Sequence, residues 1–213
     1  MLRPFFIHFK DEAFVQSLIL SFLLLVLSLF INFYAGVYAT HKASNAVTDI
    51  ILSNTRVYDL DQIFIYGSWF LVLFIAFVCI KYPRKTPFIL KNISLFVIIR
   101  SIFITLTHIG PFPTEIIINP RSFLNYFVFG GDLFFSGHTG LPFLLSLVFW
   151  DIRWLRRTFL SISLCFGVIV LLAHLHYTID VLSAFFISYG ICHIARVLFK
   201  KDYAHFIEEP THI

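Results

Sequence analysis

Charge is the first thing this chain has little of. Only 13% of its 213 residues are Asp, Glu, Lys or Arg, about half the share of roughly 25% found in soluble domains. With 59% hydrophobic residues and a mean hydropathy of +0.86, that shortfall excludes an ordinary water-soluble domain. Cysteine is equally sparse. Cys79, Cys165 and Cys192 lie inside apolar runs, with neither metal-ligand spacing nor the pattern of a disulfide framework, so they read as small buried hydrophobes. Internal repeats, low-complexity stretches and a second domain are all missing. The net charge of +4 is not gathered into a basic stripe on a soluble face, which excludes nucleic acid as a partner.

What the chain has in abundance is long apolar runs. A hydrocarbon core about 30 Å thick takes about 20 helical residues at about 1.5 Å each. Six segments meet that length: 13–35, 63–81, 88–108, 133–150, 158–175 and 177–199. The 28 phenylalanines serve as lipid-facing and helix-packing bulk. The expected fold class is therefore all-α: a polytopic membrane protein with a bundle of six transmembrane helices over 13–199, its core at 88–199. An amphipathic lead-in (1–12) precedes it and a polar tail (200–213) follows. The first run is too long for a signal-peptide core and is expected to remain as a span.

Orientation follows from the basic residues of the connections. One side carries Arg3, Lys10, Lys81, Arg84, Lys85, Arg153, Arg156, Arg157, Arg196, Lys200 and Lys201, and the other only Lys42, Arg56 and Arg121. The positive-inside rule then puts both termini in the cytoplasm. It also puts two polar islands on the periplasmic, exoplasmic or lumenal face. The islands are Gly131-Asp132-Leu133-Phe134-Phe135-Ser136-Gly137-His138-Thr139 and His174-Leu175-His176-Tyr177-Thr178-Ile179-Asp180.

Ionisable groups at membrane depth are expensive, so each is a candidate for function. His176 and Asp180 are four residues apart at the start of the sixth span, a spacing that puts them on one helix face within reach of each other. An aspartate on one imidazole nitrogen fixes the tautomer and leaves the other nitrogen as base, nucleophile or ligand. The start of that helix offers N–H groups to an anion. Ser136-Gly137-His138 is expected about two turns into the fourth span, with Ser136 as a hydrogen-bond donor and Gly137 permitting close approach. Arg100, eight residues before His108, falls at a depth similar to His138, and its planar fork suits a phosphate.

Blander readings fit the same residues. Arg100 would serve as a structural bridge to Asp132 or Asp180, or His138 and His174 as axial ligands of a haem. An inactive structural relative is the other non-enzymatic reading. On a regular helix His174 points away from His176, toward the interface or a supporting position. The histidines at 8, 41, 108, 193, 205 and 212 carry no assigned role, His108 being the best placed.

Ser136-Gly137-His138 followed by His176-x-x-x-Asp180 resembles the type 2 phosphatidic acid phosphatase and haloperoxidase superfamily. The fuller strings, Gly-Asp-x-x-x-Ser-Gly-His-Thr at 131–139 and His-Tyr-Thr-Ile-Asp-Val at 176–181, are similar to the sphingomyelin synthases, as is the layout of Arg100, Thr107, Pro111 and Pro113. The likeness covers about 100–190. A Lys-x6-Arg-Pro motif is missing and Val170 stands where the broad pattern has Arg, both as in the synthases. Gly130 replaces their Cys and Phe185-Phe186 their Tyr pair, which leaves head group and acceptor open.

The resemblance implies a lipid phosphotransferase without metal or cofactor. His176 would be the nucleophile forming a phosphohistidine, Asp180 its orienter and His138 the acid and later the base. Arg100, Asp132, Ser136, Gly137 and Tyr177 would bind substrate. Its partners would be membrane lipids: a phospholipid donor of a phosphocholine- or phosphoethanolamine-type head group, and a lipid alcohol as acceptor. With water as acceptor the same site would act as a lipid phosphatase or phospholipase C-type hydrolase.

Overall fold

The apolar runs fold as helices because a helix satisfies every backbone N–H and C=O within itself, which a hydrocarbon solvent requires. The computed structural model describes residues 11–114 and 133–208. Among these residues the secondary structure is entirely helical: α1 (Glu12–Lys42), α2 (Asp61–Lys81), α3 (Thr86–Leu106), α4 (Gly137–Val148), α5 (Arg153–Leu172), α6 (Thr178–Leu198) and α7 (Lys200–Glu208), with 3-10 turns at Leu52–Asn54 and Pro83–Lys85. Of the sequence features above, most of the lead-in, Arg121, Gly130, Gly131 and Asp132 lie outside the described residues.

Five helices (α1, α2, α3, α5 and α6) are long and apolar enough to cross a membrane, which makes this an integral-membrane chain. The fourth expected span differs. Instead of 133–150, α4 has 12 residues, about 18 Å at the helical rise, short of the hydrocarbon thickness. Its start is delayed because Leu133 to Ser136 form a turn and Ser136 caps the helix. By contrast α1 runs past its expected end at 35 to Lys42, carrying polar Thr40, His41 and Lys42 beyond the apolar stretch.

α1 presents a stripe of small residues, Ser21, Ser28, Ala35, Gly36 and Ala39, as its buried face, which lets it lie closely along α3. Its other faces carry Leu23, Val26 and Phe30, all more than half exposed, as lipid-facing residues are. α3 is the most buried element; α4 packs between α5 and α6.

The two ends of the bundle are tied differently. At one end α7 docks through buried lysines. Lys91 Nζ pairs with Asp202 Oδ2 at 2.6 Å and donates to Ser17 Oγ at 2.8 Å, while Lys85 Nζ donates to the Phe206 carbonyl and lies over that residue's ring at 4.4 Å. Residues 200–208 are thus a docked helix within what the sequence suggests is a polar tail. At the other end the connections 43–60 and 107–114 meet the starts of α4 and α6. The described residues of both polar islands, 133–139 and 174–180, lie at this second end.

Candidate active site

The α4 side of the site begins with strained backbone. Phe134 and Phe135 have φ of 137° and 36°, conformations that cost non-glycine residues of order 1–3 kcal/mol each. Buried aromatic packing offsets that cost: Phe135 sits edge-on to Phe96 at 5.4 Å and Phe103 at 5.9 Å, and Phe134 stacks on Phe103 at 5.5 Å. The turn delivers fully buried Ser136 as N-cap, its Oγ accepting from Thr139 N at 3.4 Å. Ser136, Gly137 and His138 therefore open the helix and do not lie two turns into it.

Arg100, buried in α3, reaches this helix start. A Cβ on Gly137 would lie 3.1 Å from Arg100 Nε and 3.4 Å from its Cδ, so the glycine lets the guanidinium approach the helix start without being displaced. His138 follows on the side facing α2 and α5, where its ring packs on Phe64 at 4.4 Å and Phe166 at 5.5 Å.

The α6 side is held by Asp180, which is fully buried. Its Oδ2 accepts from Tyr177 N at 3.1 Å and lies 3.2 Å from His176 Nδ1. The helix starts at Thr178, so the His176–Asp180 contact is not a pairing across one helix face. Asp180 reaches back from the first turn, half of a capping box, and His176 stands just ahead of the helix. The bond at Nδ1 directs Nε2 away from the carboxylate. Asp180 Oδ1 has no hydrogen-bond partner among the described residues.

The expectation that the start of α6 offers its N–H groups to a phosphate is corrected by two carboxylates. Asp180 takes the N–H of Tyr177, and Asp49 takes Thr178: Oδ2 accepts from its N–H at 2.7 Å and Oδ1 from its hydroxyl at 2.9 Å. Asp49 also accepts from Ile51 N and Leu52 N at 2.9 and 3.1 Å. Burial pushes its carboxyl up, but these donors, led by the Thr178 N–H, outweigh burial and hold it below the ordinary value. Sequence reading missed Asp49. Asp49-x-x-Leu52 carries a local capping signal, but nothing in the string links it to Thr178.

The two islands meet directly. Ser136 N donates to the Asp180 carbonyl at 3.0 Å. One turn further on, Ser188 Oγ donates to the Gly140 carbonyl at 3.1 Å, and a Cβ on Gly140 would sit 2.9 Å from that same oxygen. Arg100, Ser136, Gly137, Asp180 and His176 thus form one chain of contacts, with His138 next along α4.

Tyr177 belongs to the support. It is 1% exposed, and its hydroxyl donates to the Gly110 carbonyl at 2.8 Å and accepts from Val47 N at 3.2 Å. That bracing position differs from the expected one at the substrate. His174 is buried with φ of 54°, its Nδ1 2.6 Å from Thr114 Oγ1, so it fastens the α5–α6 turn to the 107–114 connection. His108 binds through its carbonyl, which accepts from Ser44 N at 2.8 Å. Among the described residues no three His, Cys, Asp or Glu side chains gather as a metal set.

No curated protein and no solved structure matches this chain. One family model does, over residues 130–197, about a third of the chain. That stretch holds Ser136, Gly137, His138, His176 and Asp180. The match is to the PAP2 superfamily C-terminal model, and it supports a place for the chain in the PAP2 superfamily and a phosphatase or phosphotransferase type of activity.

Proposed function

We propose that the chain is a lipid phosphotransferase of the sphingomyelin synthase type, moving a phospho-head group from a phospholipid to a lipid hydroxyl. The observation that carries this reading is the hydrogen-bonded unit of His176, Asp180 and Ser136, lying one residue from the Arg100–Gly137 contact. His176 Nε2 attacks phosphorus, forming the P–N bond as the P–O bond to the diacylglycerol breaks. His138, protonated, gives its proton to the leaving alkoxide. It then takes the proton of the acceptor hydroxyl, whose oxygen attacks phosphorus and releases His176. Asp180 compensates the positive charge of the imidazole ring. Arg100, beside the first turn of α4, stabilises the phosphoryl oxygens. By its basic residues the α7 end faces the cytoplasm, and the site faces the exoplasmic, periplasmic or lumenal side.

With water as acceptor the same steps give a phosphatase or a phospholipase C-type hydrolase, which the superfamily match supports equally. The deciding experiment incubates purified protein with head-group-labelled phosphatidylcholine, phosphatidylethanolamine or phosphatidic acid, with and without ceramide. Label appearing on a second lipid establishes transfer, and label released as soluble phosphate or phospho-alcohol establishes hydrolysis. Inertness toward all three overturns both.

A further inference from the structure

A groove of about 460 Å³ runs between α2 and α5, from Arg157 at the α7 end to Ile169 near the site. The twelve-residue step from Arg157 to Ile169 along α5 corresponds to about 18 Å. Its walls are almost wholly apolar, and Phe70 and Cys165 on its rim are exposed on the lipid-facing surface. Gly67 lines it without a side chain, and a Cβ there would lie 3.2 Å from Phe166 Cζ. Phe166 is also the ring against which His138 packs, and Phe64 closes the other side of that imidazole. One aromatic ring therefore separates the groove from the proposed acid–base histidine.

We propose that this groove seats one acyl chain of the phosphoester lipid, with the head group at His138 and His176 and the chain end toward Arg157. The inference rests on the phosphotransferase reading for the identity of the head group. Lipid tails are as apolar as the groove walls, so burial from bilayer to groove supplies little affinity. What the groove supplies is register. A chain lying in it leads back past Phe166 and fixes where the phosphorus stands relative to His176, the positioning on which in-line displacement depends. The direction is set by the two ends: at the site end the Phe166 ring stands between the groove and His138, while the other end lies at an exposed arginine.

The test uses full-length protein in nanodiscs of dimyristoylphosphatidylcholine, doped with a phosphatidylcholine bearing a diazirine at the end of one palmitoyl chain. After irradiation, adducts are expected to concentrate on residues 157–162. Their yield is expected to fall about tenfold in Cys165→Trp, which plugs the groove from its lipid side, and likewise in Phe70→Trp, which plugs it from α2. Even labelling of α1 positions such as Leu23 and Val26, unchanged in both variants, would identify ordinary boundary lipid and overturn the proposal. Adducts clustered at Ile169 would show a chain entering from the arginine end, and would overturn it as well. Head-group transfer is followed on the same samples: loss of turnover with the groove adducts intact counts against the enzymatic reading and upholds the acyl seat.

Discussion

Ser136 and Asp180, 44 residues apart in sequence, share a backbone hydrogen bond of 3.0 Å between the N-cap of α4 and the first turn of α6. Asp180 thereby has two functions at once. Its carbonyl fixes the start of the helix that carries His138, and its carboxylate orients His176. A displacement of either helix start changes both histidines together.

Asp180→Asn separates these functions. The carbonyl remains and the amide oxygen still accepts from Tyr177 N, but the group holding the imidazole is no longer an anion. Turnover is expected to fall about 100- to 10,000-fold, the range for a mispositioned proton-transfer group, with membrane insertion unchanged. Head-group release measured against wild type checks it, and activity within tenfold would remove Asp180 from the machinery.

Gly137→Ala places a methyl group 3.1 Å from Arg100 Nε. The guanidinium must give by a few tenths of an ångström, and since a misplacement of about 1 Å costs on the order of 100-fold, a smaller loss of up to about 10-fold is expected. The loss is expected in turnover, with thermal stability close to wild type. Equal losses in both would mean that the glycine serves packing alone.

Asp49 makes stability depend on acid. Burial raises its carboxyl pKa, and the bonds from Thr178, Leu52 and Ile51 lower it further than burial raises it, so the folded value lies below the ordinary 3.8. Its contribution is complete above the unfolded pKa and is lost as pH falls through the folded one. Asp49→Asn is expected to melt below wild type at pH 7, with the gap closing as the pH falls below 3.8 and through the lowered folded value. A gap independent of pH contradicts the assignment.

Gly140→Ala brings a methyl group to 2.9 Å from Ser188 Oγ and 3.0 Å from the Phe96 ring. Overpacking of this kind costs about 1–3 kcal/mol. Adding Ser188→Ala relieves one of the two contacts and is expected to return part of the loss in a double-mutant cycle; simple additivity would show that the helices do not meet there.

Asp202→Ala leaves Lys91 buried opposite a methyl group, a loss of about 3–5 kcal/mol when one member of a buried pair is removed. Lys91→Met with Asp202→Leu is expected to recover most of it. Unfolding in detergent, followed by circular dichroism, compares the three proteins.

The membrane spans were legible because length and hydropathy decide them, and basic residues sorted the two ends of the bundle. His176, Asp180 and Arg100 stood out because a charge in an apolar run needs a reason. The α4 boundary was not legible, since hydropathy continues through Leu133 to Phe135 while the backbone turns there to let Ser136 cap. Lys85 counted among the charges of the connections and Lys91 carried no reading, yet both are buried beneath α7. Asp49 was hidden for a different reason: its partner, Thr178, lies 129 residues away, and contacts at that range leave no local trace in sequence.

That long-range tie bears on how the chain can be divided. The family-matched stretch from 130 to 197 contains the histidines, but not the carboxylate that caps α6 or the backbone groups at 47 and 110 that hold Tyr177. Excised alone, α6 would begin with an unanswered amide and a loose tyrosine directly beside His176. Residues outside the matched stretch are the mould in which the candidate site is cast.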